Sequence, residues 1–97
     1  MMTEIIDAIE KDPYDIELDQ AGYFVIKVDH SDKCIYVDHY NYDKKIIRTI
    51  RGHDARNLYW TILENKWISS LSHAAYIGKE LMRAEYALKN NENYSQN

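Results

Sequence analysis

Apolar and polar positions alternate with a period of two through the middle of the chain, and with a period near 3.6 through its second half. Tyr23 to Val28 (YFVIKV) sets Phe24, Ile26 and Val28 on one side and Tyr23, Val25 and Lys27 on the other, a strand pattern in β-branched and aromatic residues. Asp29 to Lys33 (DHSDK) is a polar turn. Cys34 to Tyr40 (CIYVDHY) alternates again, with Ile35, Val37 and His39 sharing a face opposite Tyr36, Asp38 and Tyr40. After a second turn, Asn41 to Lys44, the run Lys45 to Ile50 (KIIRTI) predicts a third strand. Short turns between consecutive strands imply an antiparallel meander with one face in the core. Arg51-Gly52-His53 ends the sheet, and Asp54 caps a helix reaching to about Asn65. Ala55, Leu58, Tyr59, Ile62 and Leu63 form its apolar stripe. A longer helix over Leu71 to Lys89 carries Ala74, Ile77, Leu81, Ala84 and Leu88 at steps of three and four, with Glu85 and Lys89 as an i,i+4 pair.

At the N-terminus, Ile5, Ile6 and Ile9 fall on one side of a predicted short helix with Thr3 as N-cap. Lys11 to Ala21, broken by Pro13, reads as a linker. The predicted fold class is α+β: a three-stranded antiparallel meander packed against a C-terminal helical hairpin, with a short N-terminal helix. Residues 1–17 are the N-terminal helix and linker, 18–91 the single α+β domain and 92–97 a flexible tail. Three strands alone are barely stable, so the hairpin must bury their apolar face.

Composition narrows the function classes. A chain of 97 residues makes one domain. Net charge is −4 without a basic stripe, which argues against nucleic acid as a partner. No apolar run approaches the ~20 residues that span a bilayer, and the N-terminus is not a secretory signal. The single cysteine, Cys34, has no partner for an internal disulfide, which fits a reducing, cytoplasmic location. Nine of the twelve aromatic residues are tyrosines, which bury like hydrophobes yet keep a polar tip and so suit interfaces. A genome-wide bias toward Tyr, Asn, Ile and Lys would give the same count.

No catalytic constellation emerges, so the chain is not expected to be an enzyme. His30, His39, His53 and His73 occupy different elements and have no metal-ligand spacing, hence no predicted metal site. Cys34 begins a strand with nothing nearby in sequence to make it reactive. Gly22, Gly52 and Gly78 are isolated, so no phosphate-cradling loop exists. Gly78 lies inside a strong helical pattern, where glycine costs ~1 kcal/mol relative to alanine. With Ala74 and Ala75 it makes a small-residue surface that something approaches closely: the sheet, the neighbouring helix, or a ligand or partner backbone. His73 stands in the first turn of the same helix, where the dipole favours the neutral imidazole and the amides offer a modest anion site. An ordinary solvated turn histidine is the simpler account.

The runs LDQAGYFVIKVD (18–29), VDHY (37–40), IRGHDARNLYWTILENKWIS (50–69) and LSHAAYIGKELMRAEYALKNN (71–91) resemble a small archaeal and bacterial domain of unknown function. That domain occurs at the end of dihydropteroate-synthase-like proteins and is grouped with the corrinoid-carrying subunit of tetrahydromethanopterin S-methyltransferase. HAAYIGKEL is the most specific part of the resemblance. The chain has neither the synthase domain nor the corrinoid subunit's own body. The corrinoid motif DxHxxG is absent, and Ser72 stands where the family often has Asp.

The resemblance implies a small accessory protein of methanogen one-carbon metabolism. It would dock on the methyltransferase subunits and regulate or protect the corrinoid-carrying one. It would hold no cofactor of its own, touching only a corrinoid held by the partner. It would not insert in the membrane, although the partner could bring it to the cytoplasmic face. The residues expected to bind are His39, Tyr40, His73, Tyr76 and Gly78. Two alternatives stand beside this: a domain that binds a pterin or another one-carbon carrier in a pocket ringed by His39, Tyr40, His73 and Tyr76, and a homodimeric scaffold using the long helix. A Tyr-rich ridge would favour docking, and a ringed pocket would favour the ligand.

Overall fold

The computed structural model describes the backbone of residues 4–8 and, in full, residues 22–68 and 70–97. The elements are β1 (Glu4–Ala8), β2 (Tyr23–Asp29), β3 (Cys34–Tyr40), β4 (Ile46–Gly52), α1 (Ala55–Glu64) and α2 (Leu71–Lys89). The α+β class, the meander β2-β3-β4 and the helical hairpin all stand as expected. The N-terminal segment does not: Glu4–Ala8 is a strand, pairing antiparallel with β4 to give a four-stranded sheet of order β1-β4-β3-β2. A single short helix is marginal in water, whereas the β-branched pair Ile5-Ile6 can complete the open edge of β4. Thr3, Ile9 and the linker Lys11 to Ala21 lie outside the described residues.

Alternation within the meander decides which side is core. Phe24, Ile26, Ile35, Val37 and Ile50 face the hairpin and pack with Leu58 and Ile62 of α1 and with Ile77, Leu81 and Ala84 of α2. His39 and Arg48, which are paired across β3 and β4, are buried among them. On the opposite face, buried Asp38 accepts from the Thr49 hydroxyl at 2.8 Å and pairs with the Lys27 ammonium at 2.7 Å. Asp38 is thereby satisfied on both sides, as a buried carboxylate must be.

Caps fix both helices. Asp54 accepts from the Asn57 amide at 2.8 Å to start α1, and Ser70 accepts from the His73 amide at 3.3 Å to start α2. Both end the same way. Lys66 (φ 58°) and Asn91 (φ 54°) adopt the left-handed conformation, and the following amides, of Trp67 and Glu92, bond back to Ile62 and Ala87. These are Schellman motifs, and each reverses the chain sharply. The first turns Trp67 into the core, where it is 6% exposed.

The second sends residues 92–97 back along α2, so the expected flexible tail is instead held. The Tyr94 hydroxyl donates to Glu80 Oε1 at 2.7 Å, and Arg83 donates to the same oxygen at 2.6 Å. The Gln96 carboxamide accepts from the Ile26 amide at 2.8 Å and donates to the Phe24 carbonyl at 3.0 Å. A side chain thus takes the place of a neighbouring strand on the outer edge of β2.

Candidate functional site

The end of the sheet where β2 starts and β3 finishes is aromatic on both faces. On the core face the His39 ring stacks on Phe24, with centroids 4.2 Å apart. Phe24 meets His73 edge-on at 5.6 Å, and His73 in turn lies 6.5 Å from Tyr76. The Arg48 guanidinium sits 4.3 Å from the Trp67 ring centroid and donates to His39 Nδ1 at 2.6 Å. A guanidinium has only donors, so Nδ1 carries the lone pair and the His39 proton belongs on Nε2. Phe24, His39, Arg48 and Trp67 are all buried, while His73 and Tyr76 are half-buried at the margin. Burial holds the His73 imidazole below its ordinary pKa, which favours the neutral ring.

On the other face, Tyr23 and Tyr40 stand opposite each other in the β2–β3 register and stack in parallel, with centroids 5.1 Å apart and planes 2° from parallel. Tyr23 is 39% exposed, Tyr40 half-buried, and Tyr42 in the next turn 73% exposed. Gly22 permits the close approach beside this pair, since a Cβ there would overlap the Tyr40 carbonyl oxygen. The turn after β3 is pinned by buried Asn41, whose side chain accepts from the Lys45 amide at 3.0 Å. The result is an aromatic ledge on one face, backed on the other by the Phe24–His39–Trp67–Arg48 cluster.

Of the five residues singled out in sequence, the fold brings His39, His73 and Tyr76 together around Phe24. Tyr40 lies at the same strand end but on the opposite face, so His39, Tyr40, His73 and Tyr76 do not ring one pocket. Gly78 lies elsewhere, between the helices. A Cβ on it would stand 3.1 Å from the Tyr59 ring, so this glycine admits the neighbouring helix. It also lines an open, largely apolar groove of about 580 Å³ with Ala55, Tyr59, Ala75 and Met82. Sequence reasoning missed Phe24, Arg48 and Trp67 as members of the cluster, and Tyr23 and Tyr42 as parts of the ledge. The ledge had a signal: closing the β2–β3 turn with Asp29 opposite Cys34 carries Tyr23 opposite Tyr40.

The remaining histidines are tied to backbone. His30 Nε2 donates to the Glu92 carbonyl at 2.7 Å and His53 Nδ1 to the Lys33 carbonyl at 2.8 Å. Among the described residues no three His, Cys, Asp or Glu side chains come together so as to hold a metal ion. No described helix is long and apolar enough to cross a membrane.

Comparison with known proteins adds relatives to this geometry. A segment of an uncharacterized protein of Methanocaldococcus jannaschii is 35% identical over 75 residues, covering 77% of this chain but only 14% of that protein. The uncharacterized protein ycf91 of Pyropia yezoensis is 31% identical, covering 94% of this chain and 83% of its own length. The Ycf91-like protein of Nostoc sp. is 32% identical, with 84% of each chain covered. No solved structure matches. The profile of the PterinBD-DUF4346 family matches residues 18–97, from just before β2 through the packed tail. With that match taking in the meander, the hairpin and the aromatic strand end, the chain belongs to the PterinBD-DUF4346 family.

Proposed function

We propose that this chain is a non-catalytic binding domain that docks, through the Tyr23–Tyr40–Tyr42 ledge, onto a protein of pterin-linked one-carbon chemistry. The observation that carries this reading is the ledge itself. Two parallel rings stacked across a strand pair, with exposed Tyr42 two residues on in the following turn, present amphipathic area at little cost in side-chain entropy. Tyrosines in such settings are frequent interface anchors.

The relatives support a module that acts beside larger partners. Similar sequence occupies a small part of one long protein and most of several short ones. A domain found both fused and separate is one whose neighbours matter to its work. The corrinoid-carrying subunit of tetrahydromethanopterin S-methyltransferase is the partner that the sequence resemblance favours for a methanogen. Similar sequence also occurs in Nostoc and Pyropia, so the partner is stated by class, and its link to pterins rests on the family's description. A second reading is direct pterin binding, favoured by the family's description and by the flat stacking surface of the ledge.

Affinity purification of the tagged chain from its native cells, under anaerobic and air-exposed conditions, tests the proposal against a Tyr23→Ser/Tyr40→Ser variant. Docking predicts a stoichiometric protein that the variant loses. Recovery of the chain alone would overturn docking and leave titration with a reduced pterin, read by aromatic fluorescence, to decide the second reading.

A further inference from the structure

The groove between α1 and α2 has an apolar floor and free cations beside it. Ala55 and Tyr59 of α1 and Ala75, Gly78 and Met82 of α2 make the floor, and about 580 Å³ stays open with the Tyr59 ring in place. These positions stand three or four residues apart, so each helix turns one short row toward the groove. Tyr59 takes up the space over Gly78, while Ala55 and Ala75 add little bulk of their own. The volume falls in the range of small-molecule sites.

Three charged side chains border this floor: Arg56, Lys79 and Glu85. Glu85 is already engaged. One of its oxygens accepts from the Ala55 amide at 2.6 Å, and the other pairs with Lys89 at 2.9 Å. Arg56 and Lys79 are exposed, and neither has a hydrogen-bond or ion-pair partner among the described residues. One unpaired cation thus stands on each wall, in a chain whose net charge is −4. An exposed Lys or Arg is ordinary by itself. Beside an apolar floor the two together select a ligand. A cation would be repelled, and a wholly polar molecule would lose water without gaining partners on the floor. An apolar body with an anionic head satisfies both parts, because long Lys and Arg side chains can swing their charges to the head.

We infer that the α1–α2 groove binds a small amphipathic carboxylate, its apolar body against Tyr59 and Met82 and its carboxylate between Arg56 and Lys79. Met82 is 70% exposed, and a flexible thioether side chain adapts readily to such a body. The groove lies on different elements from the aromatic ledge, so this site does not rest on the proposed docking.

A titration of the full chain with octanoate and, separately, with 1-octanol, read by amide chemical shifts, tests the inference. Octanoate half-saturates at about a millimolar and shifts amides around residues 55–59 and 75–82. It binds roughly fivefold more tightly than octanol, since two exposed cations contribute modestly each, and added salt narrows that gap. Arg56→Gln/Lys79→Gln lowers octanoate to the affinity of octanol and leaves octanol unchanged. Ala75→Phe, at an exposed position on the groove wall, fills the groove and loses both ligands in a chain that circular dichroism shows to be folded. Shifts that map away from the groove would overturn the inference. So would octanol binding as tightly as octanoate, or a folded Ala75→Phe chain that takes octanoate as the wild type does.

Discussion

At the scale of single residues, three positions carry conformations or charges that the surroundings must support. Lys66 holds a left-handed backbone at the end of α1 so that Trp67 can enter the core. A side chain there costs energy that glycine avoids. Lys66→Gly is expected to stabilise the fold by up to about 1 kcal/mol, seen as a raised midpoint in urea. Gly22→Ala acts the other way. Its Cβ would overlap the Tyr40 carbonyl oxygen, so a loss of about 2 kcal/mol or more is expected in the same titration, along with disorder at the ledge. Glu80 is 1% exposed. Burial alone would push its carboxyl up, but the Tyr94 hydroxyl, the Asn97 amide and the Arg83 guanidinium together hold it below the ordinary 4.5. A carboxyl that titrates lower when folded contributes stability that is complete above its unfolded value and is lost as pH falls through the folded one. Stability should therefore decline below about pH 4.5 in the wild type and decline less steeply in Glu80→Gln, as measured by thermal unfolding against pH. None of these roles shows in the sequence. Lys66 and Asn91 stand where a glycine would have announced the turn, and Glu80 reads as one more charged residue on a helix.

At the scale of elements, the meander and both helices were legible because their apolar periods were long and unbroken. Asp54 and Ser70 marked the helix starts. β1 was misread as a helix because three isoleucines in a short segment fit either period. The deciding partner, the open edge of β4, is more than forty residues away in sequence. The tail was misread because its composition is polar, while its anchoring depends on contacts with residues far away: Gln96 bonds β2 and Tyr94 bonds Glu80. Gln96→Ala should free the edge of β2 at a cost of about 1 kcal/mol. The backbone amide of Ile26, which donates to Gln96, would then exchange with solvent roughly fivefold faster while core amides of β3 are unchanged. Unchanged exchange at Ile26 would mean that the tail does not guard this edge.

At the scale of the whole molecule, the hairpin covers one sheet face and buttresses the strand end from below. The tail closes one edge, and the aromatic ledge projects at the strand end. His39 stood out by sharing a strand face with Ile35 and Val37 and His73 by its place in the first turn of α2, while Tyr76 came only with the family resemblance. That His39 joins Phe24, Arg48 and Trp67 beneath the ledge, with His73 and Tyr76 at the margin, depends on the strand register and on Trp67 folding inward. The central claim is that the ledge is the docking surface. Hydrogen exchange of the chain, compared free and bound to the protein it captures, tests this most directly. The account predicts slowed exchange on binding at residues 22–24 and 39–42, and no slowing in the Tyr23→Ser/Tyr40→Ser chain. Protection confined to α2 or the tail, with the ledge as exposed bound as free, would contradict it.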